Sequence, residues 1–197
     1  MFALLTGLTV HEFAHAKSAE LSGDDTARRA GRVSLNPLDH LDPIGTIMMV
    51  FMALSGVGIG WAKPVPVNPH NLRHPRWDNV KVSLWGPLAN ICFAFVLGMM
   101  VRALPIGFRD WSDLLKVCVE VNLTLAFFNL IPIPPLDGSH ILSGLLPIEQ
   151  ARAYDRFMGQ FGVFLLIGLL VVGRDLLWSI IGPPIFHLFH LFTGSWF

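Results

Sequence analysis

Val10-His11-Glu12-Phe13-Ala14-His15-Ala16 lies within an apolar run that starts at Met1, carries no charge before Glu12 and continues to Leu21. On a helix, positions four apart share a face, so His11 and His15 can grip one ion. Zinc takes neutral imidazole nitrogens and, in catalytic sites, keeps a position open for water. Glu12, one residue past the first histidine, can reach such a water and take its proton. Each ionisable residue facing lipid costs roughly 2.5–3.5 kcal/mol, so three together in an apolar helix need a shared task. A metal-free His–Glu–His hydrogen-bond cluster is the plainer alternative; the spacing and the apolar setting together favour the metal.

Composition extends that reading to the whole chain. Of 197 residues, 53% are hydrophobic and 14% charged, with fifteen Phe and six Trp beside a single Tyr. The mean hydropathy is +0.56. An all-α polytopic membrane protein is expected, a bundle of about 4–6 membrane-embedded helices with short extended or strand segments after the first. Residues 1–197 are read as one domain, with a motif-bearing core at about 5–145 and C-terminal helices over 157–197. Lys plus Arg equals Asp plus Glu, which leaves no basic field and excludes nucleic acid as a partner. Cys92 and Cys118 lie in apolar stretches and read as small buried residues, with no disulfide framework. Because its apolar run carries the metal motif, the N-terminal helix is not read as a removable leader.

The first helix is expected over Phe2–Leu21, followed by a polar loop holding Arg28, Arg29 and Arg32. Residues 31–36 alternate like a strand, and 63–68 read as extended chain because Pro64 and Pro66 exclude helix. Both are expected to pair with an opened substrate segment. Residues 43–62 are uncharged and could span, yet Gly56, Gly58 and Gly60 also suit a re-entrant segment. Spans are expected at Val82–Val101, Leu114–Ile131 and Phe157–Gly173, with an aromatic tail broken at Gly182-Pro183-Pro184. Loops 22–42 and 61–81 are the most basic, with three and four Lys/Arg, which places both in the cytoplasm if 43–62 does not cross.

Two histidines call for a third ligand. Asn129-Leu130-Ile131-Pro132-Ile133-Pro134-Pro135-Leu136-Asp137-Gly138 breaks an apolar span with three prolines. Irregular backbone at membrane depth is tolerated where it is protein-buried or lines a wet cavity. Asp137 is the leading candidate there; Asp39, His40, Asp42 and His140 are rivals, and an Asp-Gly turn without metal is the alternative.

With His-Glu-x-x-His in one apolar helix and Asn-x-x-Pro-x-Pro-x-x-Asp-Gly in a later one, the chain resembles the site-2 protease family of intramembrane zinc metalloproteases. The likeness extends through Gly31–Pro37, Asp42–Gly45, Gly60–Asn68 and Gly86-Pro87-Leu88-Ala89-Asn90 and resembles the compact prokaryotic branch. The link at 105–113 is too short for the PDZ domain some relatives carry, and relatives usually have more apolar sequence before the motif than the ten residues preceding His11. The resemblance implies one zinc ion on His11, His15 and Asp137, Glu12 as catalytic base, and Asn129 positioning the substrate or its oxyanion. It further implies a multi-pass cell-membrane enzyme, reached from the cytoplasmic side, that cuts membrane-spanning proteins. A divalent-metal transporter or sensor, or a catalytically idle membrane scaffold, are the readings of other classes. The first has no need of Glu12 at that place, and the second no need of the full set.

Overall fold

The computed structural model describes residues 1–55, 61–105 and 107–195. Its long elements are the helices α1 (Phe2–Leu21), α3 (Pro43–Ser55), α4 (Pro75–Ala103), α5 (Arg109–Asn129), α6 (Asp137–Leu145), α7 (Ile148–Val171) and α8 (Arg174–Thr193), with a single turn α2 (Thr26–Arg29). Three of them, α4, α7 and α8, are long and apolar enough to cross a membrane. The chain is a multi-pass membrane protein. Residues 56–60, with the three glycines expected to loosen the 43–62 segment, lie outside the described residues.

The centre of the bundle is α4 against α5, with α1 and α8 flanking. Ala94 and Leu97 of α4, Val119 and Leu123 of α5, and Ile181, Ile185 and Phe189 of α8 form one buried apolar cluster. Gly98 lets α8 approach closely, since a Cβ there would stand 2.6 Å from the Phe192 Cβ. At the same end Arg102 donates from Nε to the Phe192 carbonyl at 2.9 Å and from Nη2 to that of Leu191 at 2.6 Å, capping α8. The opposite row of α4 (Val96, Met99, Met100) is exposed, as suits a lipid-facing surface. Cys92 lies exposed on α4 as well, while Cys118 is buried as expected.

The α1 bounds match the sequence reading; other boundaries differ. Helix α4 starts seven residues before the expected span, because Pro75 at its first turn fits a helix start as well as a loop end. Helix α7 likewise begins at Ile148, its first two turns polar and invisible to hydropathy. The tail is one continuous helix through Pro183 and Pro184. Membrane helices tolerate proline where neighbours restore the freed backbone groups.

The expected strands do not form: there is none among the described residues. Side chains occupy the backbone groups a ladder would need. The Ser34 carbonyl accepts from the His40 ring at 2.8 Å, the Lys63 carbonyl from Arg32 at 2.5 Å, and the Val65 N–H goes to Glu12. Pro64 and Pro66 offer no N–H at all. Residues 63–68 are extended but pinned individually.

Asp24 anchors the far end of that segment. Its buried carboxylate accepts from the Thr26 hydroxyl, from the Asn68 N–H at 2.7 Å and from the Asn71 amide at 3.0 Å. Burial alone would raise its pKa, yet these donors hold it below the ordinary carboxylate range. A depressed pKa contributes stability that is fully present above the unfolded value, about 3.9, and is lost as pH falls through the native one. Asp24→Asn should therefore cost about 1.5–3 kcal/mol at pH 7 and flatten the acid limb of the unfolding curve below about pH 4. Thermal unfolding across pH checks both.

Candidate metal centre

Helix α1 presents Gly7, His11 and His15 on one buried face toward α4 and α5. His15 Nδ1 donates to the Val82 carbonyl of α4 at 2.7 Å. A carbonyl only accepts, so this ring's proton sits on Nδ1 and, in the neutral imidazole, Nε2 carries a lone pair. The same assignment for His11 comes from a relay of amides. Asn122 Nδ2 donates to the Cys118 carbonyl at 2.8 Å, leaving its oxygen to accept from Asn90 Nδ2, also at 2.8 Å. Asn90 Nδ2 spends its second hydrogen on the Gly7 carbonyl at 2.9 Å. Only the Asn90 oxygen is left to face His11, and it accepts from Nδ1 at 2.7 Å. Both asparagines are 0% exposed.

Two lone pairs are thus aimed at one point. The two Nε2 atoms stand 2.9 Å apart. Asp137, the first residue of α6, brings its Oδ2 to 3.1 Å from His11 Nε2 and its Oδ1 to 3.3 Å from His15 Nε2. Asp137 Oδ2 is buried and makes no hydrogen bond among the described residues, as follows if neither Nε2 has a proton to give. Donor atoms at 2.0–2.1 Å from a shared tetrahedral centre lie roughly 3.3 Å apart. An all-acceptor set at this spacing repels itself unless a cation sits within it, and His₂-carboxylate is a donor set that suits zinc.

The surroundings are cut to this arrangement. A Cβ on Gly86 would collide with the His15 ring and come within 2.8 Å of His11 Cε1, so only glycine lets α4 pass the two imidazoles. Gly138 has the same role for α6, where a Cβ would meet the Leu130 and Ile131 carbonyls. Those carbonyls belong to the turns over 130–136 that bring the chain back from α5, with a cis bond between Pro134 and Pro135.

Residues 104–171 match Peptidase family M50. A Bacillus subtilis (strain 168) protein named "Putative zinc metalloprotease YwhC" is 36% identical over 98% of this chain and 90% of its own length. The chain belongs to peptidase family M50. Rip2 proteins of Mycolicibacterium smegmatis and Mycobacterium tuberculosis (strain H37Rv), which bear the same zinc metalloprotease description, are 31% and 33% identical over 85% and 83% of the chain. The matched part covers 64% and 63% of those two relatives. No solved structure matches. This M50 chain is accordingly a zinc metallopeptidase of the site-2 protease family.

Among the residues singled out from the sequence, His11, His15 and Asp137 come together. Glu12 turns to the neighbouring face, where its Oε2 accepts the Val65 N–H at 2.9 Å and Oε1 makes no hydrogen bond among the described residues. Asn129 sits in the last turn of α5, one amide hydrogen bonded to the Leu125 carbonyl at 2.9 Å. Of the rival ligands, His140 lies exposed on α6 outside the converging group, and the other three are occupied elsewhere. Asp39 accepts from Ser34 and Asn36, His40 bonds Ser34, and Asp42 accepts the Gly45 N–H at the start of α3. Gly86, Asn90 and Asn122 belong to the site, yet the sequence reading assigned them no part in it. The signal for the asparagines was their place in apolar helices.

Proposed function

We propose that this M50 peptidase hydrolyses peptide bonds of membrane-spanning proteins within or beside the bilayer, at a site reached from the cytoplasm. The observation that carries the reading is the convergence of His11, His15 and Asp137 inside a bundle in which three helices are long and apolar enough to cross a membrane, with Glu12 next to them. Basic residues in the loops flanking this end of the bundle support cytoplasmic access.

His11, His15 and Asp137 would hold the zinc. When bound, zinc lowers the pKa of water towards about 7 and polarises the scissile carbonyl. Glu12 takes the proton of the attacking water on Oε1 while the Val65 N–H fixes Oε2, then passes that proton to the leaving amine nitrogen. Asn129 keeps one amide hydrogen beyond the bond to Leu125 and can donate it to the developing oxyanion, a contribution of roughly 2.7–4 kcal/mol for comparable donors. A helical substrate hides its carbonyls, so its cleaved segment unwinds first.

The test is cleavage of labelled single-span proteins co-reconstituted with the enzyme in vesicles, with products mapped by mass spectrometry. Cuts in or beside the apolar segment, stopped by a zinc chelator, are expected. Cleavage confined to soluble unfolded peptides would overturn the membrane-substrate reading.

A further inference from the structure

A cavity of about 450 Å³ opens between α4, α6 and α7, apart from the metal centre. Its polar lining is Arg76 and Asn79 of α4, His140 and Ser143 of α6, and Arg152 and Asp155 of α7. We propose that it binds the phosphate of an anionic phospholipid headgroup.

Charge and preorganisation carry the first part. Two guanidinium groups face one carboxylate, and that carboxylate already accepts the Ser143 hydroxyl at 2.9 Å. Arg76 is fixed in place, donating from Nε to the Gly144 carbonyl at 2.8 Å and from Nη2 to that of Leu146. These bonds cap α6 and leave further N–H groups of a planar fork, the geometry suited to phosphate oxygens. Arg152 is exposed and makes no ion pair or hydrogen bond among the described residues. A cavity of this size accommodates a small ligand or headgroup.

Position decides for a lipid over a soluble phosphate. At 1.5 Å per residue, the 29 residues of α4 extend about 44 Å, well beyond a hydrocarbon core of about 30 Å. Its charged first turns, with Arg76, Asp78 and Lys81 and the exposed Trp77, belong in the headgroup layer. Along α7 the cavity face continues from Asp155 through Gly159, which faces open space, to the exposed Val163 and Ile167. An acyl chain can follow that row while the phosphate rests between the arginines. The headgroup then ties α7 to α4 and α6, about one to two helical turns past Asp137.

The zinc-loaded full chain is released from phosphatidylcholine nanodiscs doped with phosphatidylglycerol, and its retained lipid is weighed by native mass spectrometry. Phosphatidylglycerol should be retained in preference to phosphatidylcholine. Arg152→Gln, an exposed change, should weaken that retention about ten-fold. Ala151→Trp, which fills the cavity and keeps both arginines, should do the same, with zinc content reporting an intact fold. Equal retention of the two lipids, or an Arg152→Gln protein that holds phosphatidylglycerol unchanged, would overturn the proposal. Displacement of the lipid by 10 mM inorganic phosphate (roughly the scale of a free-phosphate site) would reassign the cavity to a soluble anion.

Discussion

Replacing Glu12 by Gln lowers peptide hydrolysis about 10²–10⁴-fold while zinc content stays at that of the native protein. Glutamine keeps the shape of the side chain and can still accept the Val65 N–H through its amide oxygen, so residues 63–68 stay where they are. It cannot take a proton from water at neutral pH. Glu12 also stands outside the donor set of His11, His15 and Asp137, and its loss leaves that set intact. Zinc measured by atomic emission beside cleavage of a single-span substrate separates the two effects. Activity surviving the substitution would place the base elsewhere, and loss of zinc would make Glu12 a ligand or a structural support.

The second large effect is expected far from the reacting bond. Asn90→Leu strands two buried groups, His11 Nδ1 and the Asn122 oxygen, and takes from the Gly7 carbonyl the bond it accepts beyond its helical one. His11 loses the partner that fixes its tautomer, and zinc affinity should fall about 10–100-fold. Each stranded buried group adds about 1–3 kcal/mol of destabilisation. Asn90→Asp separates the two consequences. A carboxylate still accepts from His11 Nδ1, so zinc binding is retained, but it cannot donate to Gly7 or Asn122, so stability falls. Zinc titration and thermal unfolding of both variants give the comparison. Equal zinc loss in the two would show that Asn90 acts on the fold alone, without orienting His11.

How much of this was readable in advance follows from the range of each interaction. His11 and His15 were legible because their pairing is set by one helix turn, and Asp137 because three prolines announce broken backbone inside an apolar span. Asn90 entered only as the end of the Gly86–Asn90 stretch that carries the family likeness, and its partners lie 79, 83 and 32 residues away in the chain. Gly86 is required by the two imidazoles passing it, which no local pattern records. Extended backbone at 63–68 was legible from Pro64 and Pro66; its lack of a ladder was not, because the competing acceptors, Glu12 and Asp24, come from elsewhere in the chain. Helix starts at Pro75 and Ile148 were hidden for a different reason. Their first turns are polar, and hydropathy finds the lipid-facing part of a helix while passing over its interfacial end.

The amide relay also bears on how the helices find their register in an apolar surrounding. Lipid tails are as apolar as the helix faces, so burial alone discriminates poorly between alternative pairings. The bonds joining Gly7, Asn90 and Asn122 tie α1, α4 and α5 in a single register. Sliding any one of them by a residue, about 1.5 Å, breaks several bonds together with no water to replace them. Helix pairing in this chain is thereby proofread by hydrogen-bond matching, and a wrongly threaded bundle is left with idle amides in oil.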